Sequence, residues 1–198
     1  MIELVYETHS LTLDNERGFA TGWLPGELSP QGRELARELG ERRRNDGIAA
    51  VLTSDLRRAV ETVEIAFAGS ALPIHQDARL RECDYGELNG TPVAEIEAIR
   101  VDCIERPFPG GESYMDVVHR TQDFLGDLLR EHHGERVLVV SHGANRLALD
   151  HLLRGDPLAR LVEEQFDWRP GWEYKLDERP ARRAISDERN IDRDSHEA

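Results

Sequence analysis

The chain has 198 residues, 39% of them hydrophobic and 32% charged. That is enough apolar material for one buried core, and it excludes a chain disordered throughout. Lys and Arg number 25 against 39 Asp and Glu, and the net charge of −14 disfavours nucleic acid and anionic membrane as partners. Ile2–Glu7 reads as a buried strand that ends in the polar turn Thr8-His9-Ser10. Its acids stand where a signal peptide needs a basic start and a long apolar stretch, so a cytoplasmic protein is expected. Arg17–Gly32 is rich in Gly and Pro and reads as loop. Ser29 then caps a helix with Pro30 at its first position, and Gly47 is expected to end it. Ile48–Thr53 is a second buried strand, and Ser54 is the expected cap of the helix after it.

Leu72–Gly90 is irregular, with a weak strand near Pro73–Gln76. Pro92–Arg100 suits a short helix, and Pro107–Ser113 is a loop. Tyr114–Glu131 is helical, with an apolar stripe from Val117 to Leu129. Arg136–Ser141 is the third clear strand, and its apolar run is far shorter than the ~20 residues a membrane span needs. Gly143–Leu153 is again helical. Phe166–Leu176 holds two short aromatic segments around Pro170-Gly171 and suggests a hairpin. The charged stretch from Asp177 to Ala198 is expected to be a mobile tail, which leaves one domain over 1–176. Cys83 and Cys103 form neither a disulfide framework nor a zinc pattern.

Alternation of strands and helices implies an α/β fold: a mostly parallel sheet covered by helices on both faces. In such sheets the ligand crevice lies beyond the carboxyl ends of the strands. That rule selects His9 after the first strand, Ser54, Asp55 and Arg58 after the second, and Ser141 and His142 after the third. Ser54 and Gly143 also sit at expected helix starts, where unpaired N–H groups favour an anion. Lys175 is the only lysine, so a phosphate-binding cation must be Arg or His. Arg57 reads as a surface charge, and His75, His119, His132, His133, His151 and His196 read as solvated or packed. Packing is also the reading for Trp23, Tyr85, Trp168 and Trp172, with the pocket mouth as the alternative.

These residues resemble the histidine phosphatase superfamily, the phosphoglycerate mutase-like family. Thr8-His9-Ser10 stands in place of its Arg-His-Gly, with Thr12 and Asn15 at matching spacing. Leu28–Gly32 matches its Leu-Thr-x-x-Gly segment, and Ser54, Leu56, Arg58, Ala59 and Thr62 match its second helix start. Leu80, Glu82 and Gly86 match its acid motif, Pro109–Ser113 its Pro-Gly-Gly-Glu-Ser loop, and Ser141-His142-Gly143 its second histidine motif. The matches run in order over about residues 2–155.

The resemblance implies a three-layer α/β/α fold, phosphoglycerate mutase-like. It implies a nucleophilic His9, with Arg58, His142 and Asn15 stabilising the phosphoryl group and Thr8, Ser10 and Gly143 beside it. Glu82 would be the proton donor, and no metal or other cofactor is implied. The expected partner is a small phosphorylated substrate, and a homodimer is the expected assembly. Glu82 is followed by Cys83, and the segment to His142 is short, which resembles the phosphatase branch more than the mutases. Glu87–Arg106 and the Pro109–Ser113 loop would form a small cap.

Thr8 departs from the pattern, because it cannot give phosphate a charged bidentate contact. Arg17, Arg57, Arg81 and Arg146 are the candidate replacements. Three other readings stay open: a non-catalytic protein that binds a phosphorylated ligand or a protein partner, a mutase-type phosphotransferase, and a metal hydrolase built on His9, His142 and Glu82 or Asp55.

Overall fold

The computed structural model describes residues 1–165 and 168–177. In chain order the elements are β1 (Ile2–Thr8), α1 (Leu13–Arg17), β2 (Phe19–Ala20), α2 (Pro30–Arg43), β3 (Ala50–Thr53), α3 (Arg57–Ala66) and β4 (Ile74–Gln76). They continue as β5 (Thr91–Pro92), α4 (Val93–Ile99), α5 (Tyr114–Glu131), β6 (Arg136–Ser141), α6 (Gly143–Leu149), α7 (Leu158–Glu163) and β7 (Trp172–Leu176). The main sheet has the order β4-β3-β6-β1-β7. Its β4–β3, β3–β6 and β6–β1 pairs are parallel, and β7 is an antiparallel edge on β1. The fold is therefore the expected α/β arrangement with a mostly parallel central sheet.

Period-two alternation in β1 sends its side chains into two cores. Ile2, Leu4 and Tyr6 join the core that holds Phe124, Leu125 and Leu128 of α5 and Leu149 of α6. Val5 joins Leu39 of α2 and Val63 and Ala66 of α3 on the other face. A third cluster, with Cys83, Ile96, Phe108 and Tyr114, lies under α4 and the loop before α5. Both cysteines are buried and free. Among the described residues no helix is long and apolar enough to cross a membrane.

Several local expectations are corrected. Ser29 caps α2 as expected, its hydroxyl oxygen accepting the Gly32 N–H at 3.1 Å, but the helix ends at Arg43, ahead of Gly47. Ser54 does not cap α3, whose N-cap is Leu56; its Oγ accepts the Leu56 N–H at 3.2 Å and holds a turn before the helix. The Arg17–Gly32 loop contains β2, which pairs with β5. Among the described residues of the expected aromatic hairpin, β7 pairs with β1, and residues 168–170 are not strand. Two further residues of that hairpin, 166 and 167, and 178–198 of the expected tail lie outside the described residues.

Candidate active site

The parallel ladder between β1 and β6 delivers two histidines to one rim. Thr8 is in register with Ser141, and the His9 N–H continues the ladder to the Ser141 carbonyl at 2.8 Å. The His9 and His142 rings stand 5.1 Å apart, centroid to centroid. Tyr6 holds the backbone of the second histidine, its hydroxyl donating to the His142 carbonyl at 2.5 Å. Because α3 begins at Arg57, Arg58 lies in its first turn and reaches between the two rings.

Arg58 is 2% exposed, so each of its donors needs a partner. Nε donates to His9 Nε2 at 3.2 Å, and Nη2 donates to His142 Nδ1 at 3.2 Å. The carbonyls of Gly22 and Leu24 accept from Nη2 at 2.8 Å and Nη1 at 3.2 Å. A guanidinium only donates and a carbonyl only accepts, so these partners assign the tautomers. His9 carries its proton on Nδ1, which donates to the Ser10 carbonyl at 2.7 Å, and presents a lone pair at Nε2. Thr62, one turn beyond Arg58, ties this loop to α3: its hydroxyl accepts the Ser10 N–H at 3.0 Å and donates to the Arg58 carbonyl at 2.7 Å.

Burial, reinforced by the Arg58 charge, pushes His9 down to about 3 despite its contact with the Ser10 carbonyl. Burial holds His142 well below the ordinary range too, with Arg58, His9 and Arg120 adding to the effect. Both imidazoles are therefore neutral at neutral pH. A neutral ring that keeps a lone pair at Nε2 is the form a nucleophile needs.

Glu82 closes the site opposite Arg58. Its Oε1 accepts the N–H groups of Cys83 at 2.8 Å and Ala144 at 3.1 Å, and its Oε2 accepts that of Gly143 at 3.1 Å. The start of α6, with the Gly143 N–H that was expected beside substrate phosphate, thus donates here to the chain's own carboxylate. The Glu82 carbonyl is fixed by Trp23 Nε1 at 2.6 Å and Arg120 Nη2 at 2.9 Å. Arg120 also donates to the carbonyls of Arg79 and Arg81 and pairs with Glu112 at 2.9 Å. Glu112 in turn accepts the Asp84 N–H at 3.0 Å, joining the Pro109–Ser113 loop to the acid segment.

A cavity of about 700 Å³ opens onto Thr8, His9, Ser10, Asn15, Arg58, Glu82 and Gly143, so the structure brings these expected residues together. His142 lies directly behind Arg58, fully buried. Asn15 is partly committed: its Oδ1 accepts the Thr12 N–H at 3.1 Å in the capping box of α1. Tyr85 and Trp168 line the cavity, whereas Trp23 is committed to Glu82 and Trp172 is packed in the core beneath β1. Of the four candidate arginines, Arg146 lines the cavity. Arg17 is exposed, Arg57 is exposed beside Glu27, and Arg81 binds Asp55 and lies over the Trp23 ring at 4.7 Å. That pairing also removes Asp55 from the site. Among the described residues no three His, Cys, Asp or Glu side chains are grouped to hold a metal ion.

Sequence reasoning missed Tyr6 and Arg120, and gave Glu112 only as part of the Pro109–Ser113 loop. A tyrosine inside the apolar run of β1 is a signal that could have been used, because a buried hydroxyl seeks a partner. Arg120 carried no such signal.

Comparison with known proteins agrees with this geometry. The profile of the histidine phosphatase superfamily (branch 1) matches residues 8–168. A probable phosphoglycerate mutase, GpmB, of Salmonella paratyphi B is 32% identical over 72% of this chain and 70% of its own length. YhfR of Bacillus stearothermophilus superposes with a TM-score of 0.79 at 29% identity, covering 90% of this chain and 93% of that one. A mycobacterial glucosyl-3-phosphoglycerate phosphatase solved with VO3 superposes with a TM-score of 0.73 at 29% identity, covering 81% of this chain and 85% of that one. With a profile spanning most of its length and two neutral histidines around a buried arginine, the chain belongs to the histidine phosphatase superfamily.

Proposed function

We propose that this protein is a phosphatase that hydrolyses small phosphomonoesters through a phosphohistidine at His9. The observation that carries the reading is the Nε2 lone pair of a neutral His9, fixed by the Ser10 carbonyl and set against Arg58 on a cavity wall. Phosphoryl transfer asks the protein chiefly for positioning and for charge on the equatorial oxygens. In the first step His9 Nε2 bonds to phosphorus and the ester P–O bond breaks. Its electron pair leaves with the alcohol oxygen, which takes a proton from Glu82. In the second step water attacks phosphorus as Glu82 takes its proton. The N–P bond breaks and its pair returns to Nε2. Arg58 exchanges its contact with His9 for a phosphoryl oxygen, and His142 stands beside it. Every group in this scheme belongs to the chain, so a chelator leaves the rate unchanged.

The neighbours named as a phosphatase and a probable mutase support phosphoryl chemistry in general. The finer assignment is tested by incubation with a labelled phosphomonoester and a quench in base. Label stable to base and labile to acid is expected at His9, with release of inorganic phosphate. Its absence from the wild type, or its persistence in His9→Ala, overturns the reading. Return of the label to an isomerised ester points instead to a mutase. Thr8 favours one other reading, a protein that holds phosphate without turnover; its mark is phosphate affinity with no label.

A further inference from the structure

We propose that Arg146 is the second cation of the phosphoryl site, a role that rests on the phosphatase reading above. A phosphomonoester brings up to two negative charges beside Glu82, and among the described residues the one cation in contact with His9 is Arg58. A dianion so placed needs a further positive group. Along β1, Thr8 follows Tyr6 on the sheet face covered by α5 and α6, while Glu7 faces α2. Arg146 belongs to the same face as Thr8. It lies one turn of α6 beyond His142, and its guanidinium stands 5.6 Å from the centre of the Trp172 ring, the residue in register with Tyr6. Thr8 and Arg146 line the same cavity. Helical side chains lean toward the N-terminus of their helix, which here is the histidine rim.

The charge around Arg146 allows it to turn. Asp150 is 2% exposed and accepts from Arg146 at 2.5 Å, Arg154 at 2.9 Å and the Tyr174 hydroxyl at 2.7 Å. Two guanidiniums share that one carboxylate. When Arg146 swings to a phosphoryl oxygen, Arg154 and Tyr174 keep the buried carboxylate paired, so no lone charge is left behind. The other cavity arginines are placed less well. Arg42 serves the buried Glu7 across the sheet, and Arg100 donates to the carbonyls of Glu163 and Glu164. A small Thr8 leaves room for a guanidinium to arrive from the helix instead of the strand.

The test is binding of inorganic phosphate by calorimetry, with kcat/KM for phenyl phosphate measured in parallel. Arg146→Met and Arg146→Gln should weaken phosphate binding roughly tenfold or more. They should lower kcat/KM on the order of 10²-fold. Arg146→Lys, which keeps a charge, should recover part of both losses. Arg160→Met removes an exposed arginine paired with Asp156, outside the cavity, and should leave both values near those of the wild type. Thr8→Arg should restore phosphate binding to the Arg146→Met protein by supplying a guanidinium on the same face. Unchanged phosphate affinity in both neutral variants overturns the proposal. Equal losses in Arg146→Met and Arg160→Met, or no recovery in Arg146→Lys, reduce Arg146 to a structural role and overturn it too. A wild type without turnover defeats the phosphatase reading alone, because phosphate binding still reports on Arg146.

Discussion

The guanidinium of Arg58 donates to the imidazole of His9 at 3.2 Å, and both groups are buried. A cation beside a buried histidine opposes its protonation, as burial does. In the unfolded chain that histidine titrates at its ordinary value of 6.5, against about 3 in the folded protein. Between those values the unfolded chain binds the extra proton. Stability is therefore full above about pH 6.5 and declines as pH falls toward 3, by at most ~1.4 kcal/mol per pH unit for one such group. His142 acts in the same direction. The shifted carboxylates Asp55, Asp116 and Asp127 lose their contribution only below their ordinary 3.8, so the interval from pH 6.5 to 4.5 reports the histidines. Urea midpoints across that interval should fall steeply for the wild type and less for His9→Gln. Parallel slopes for the two proteins would contradict the assigned burial of a neutral His9.

The Glu82 carboxylate is aimed by three backbone N–H groups, so its replacement by an amide of the same shape isolates its proton chemistry. Glu82→Gln should slow alkyl phosphates, whose leaving groups need a proton, on the order of 10²–10⁴-fold. Aryl phosphates with good leaving groups should lose less. Measured kcat values for a leaving-group series decide the matter. Equal losses across the series would assign Glu82 a structural role.

Much of this arrangement is legible in the sequence, and the rest fails for identifiable reasons. Tyr114–Glu131 and Arg136–Ser141 were expected at their observed bounds, because an apolar stripe at helical spacing and an unbroken apolar run are local signals. His9, Arg58 and His142 were legible together, since each follows a strand at the carboxyl edge of a parallel sheet. The start of α3 was misplaced because a serine is a good cap in general, yet here it stabilises the turn that delivers Arg58. The misread hairpin reflects a pairing between the two ends of the chain, β7 with β1, that no local pattern encodes. Arg120 was missed for the same reason: on α5 it looks like a solvated charge, and only the fold carries it to the carbonyls around Glu82.

Arg120 should accordingly be more costly to lose than a surface arginine. It is largely buried, and it serves three carbonyls and the Glu112 carboxylate. Arg120→Met strips these acceptors of their shared cationic donor and should destabilise the protein by roughly 3 kcal/mol. Turnover should fall as well, because the acid segment loses its anchor. Arg130→Met, on the exposed side of the same helix, should shift the urea midpoint hardly at all, as exposed pairs contribute ~0–1 kcal/mol. Similar midpoints for the two variants would refute the anchoring role.

The position of Arg58 depends on a glycine. Gly22 has φ of +55°, and its carbonyl accepts from Arg58 Nη2 at 2.8 Å. A Cβ at this position would lie 1.7 Å from Asn89 Oδ1. That oxygen cannot move away freely, because it accepts the Tyr85 N–H at 3.0 Å while the Asn89 amide donates to Asp84 at 2.6 Å. Gly22→Ala therefore adds a clash to the left-handed strain, which alone costs about 1–3 kcal/mol. The backbone shift that relieves the clash withdraws an acceptor from Arg58. Displacing such a group by about 1 Å can slow an enzyme on the order of 10²-fold. Gly69→Ala provides the comparison: its φ is +74°, and a Cβ there meets nothing within 4 Å. Both variants should lose stability, but only Gly22→Ala should lose kcat at a temperature where both are folded. If kcat falls equally in the two, or in neither, the Gly22 carbonyl does not set the position of Arg58.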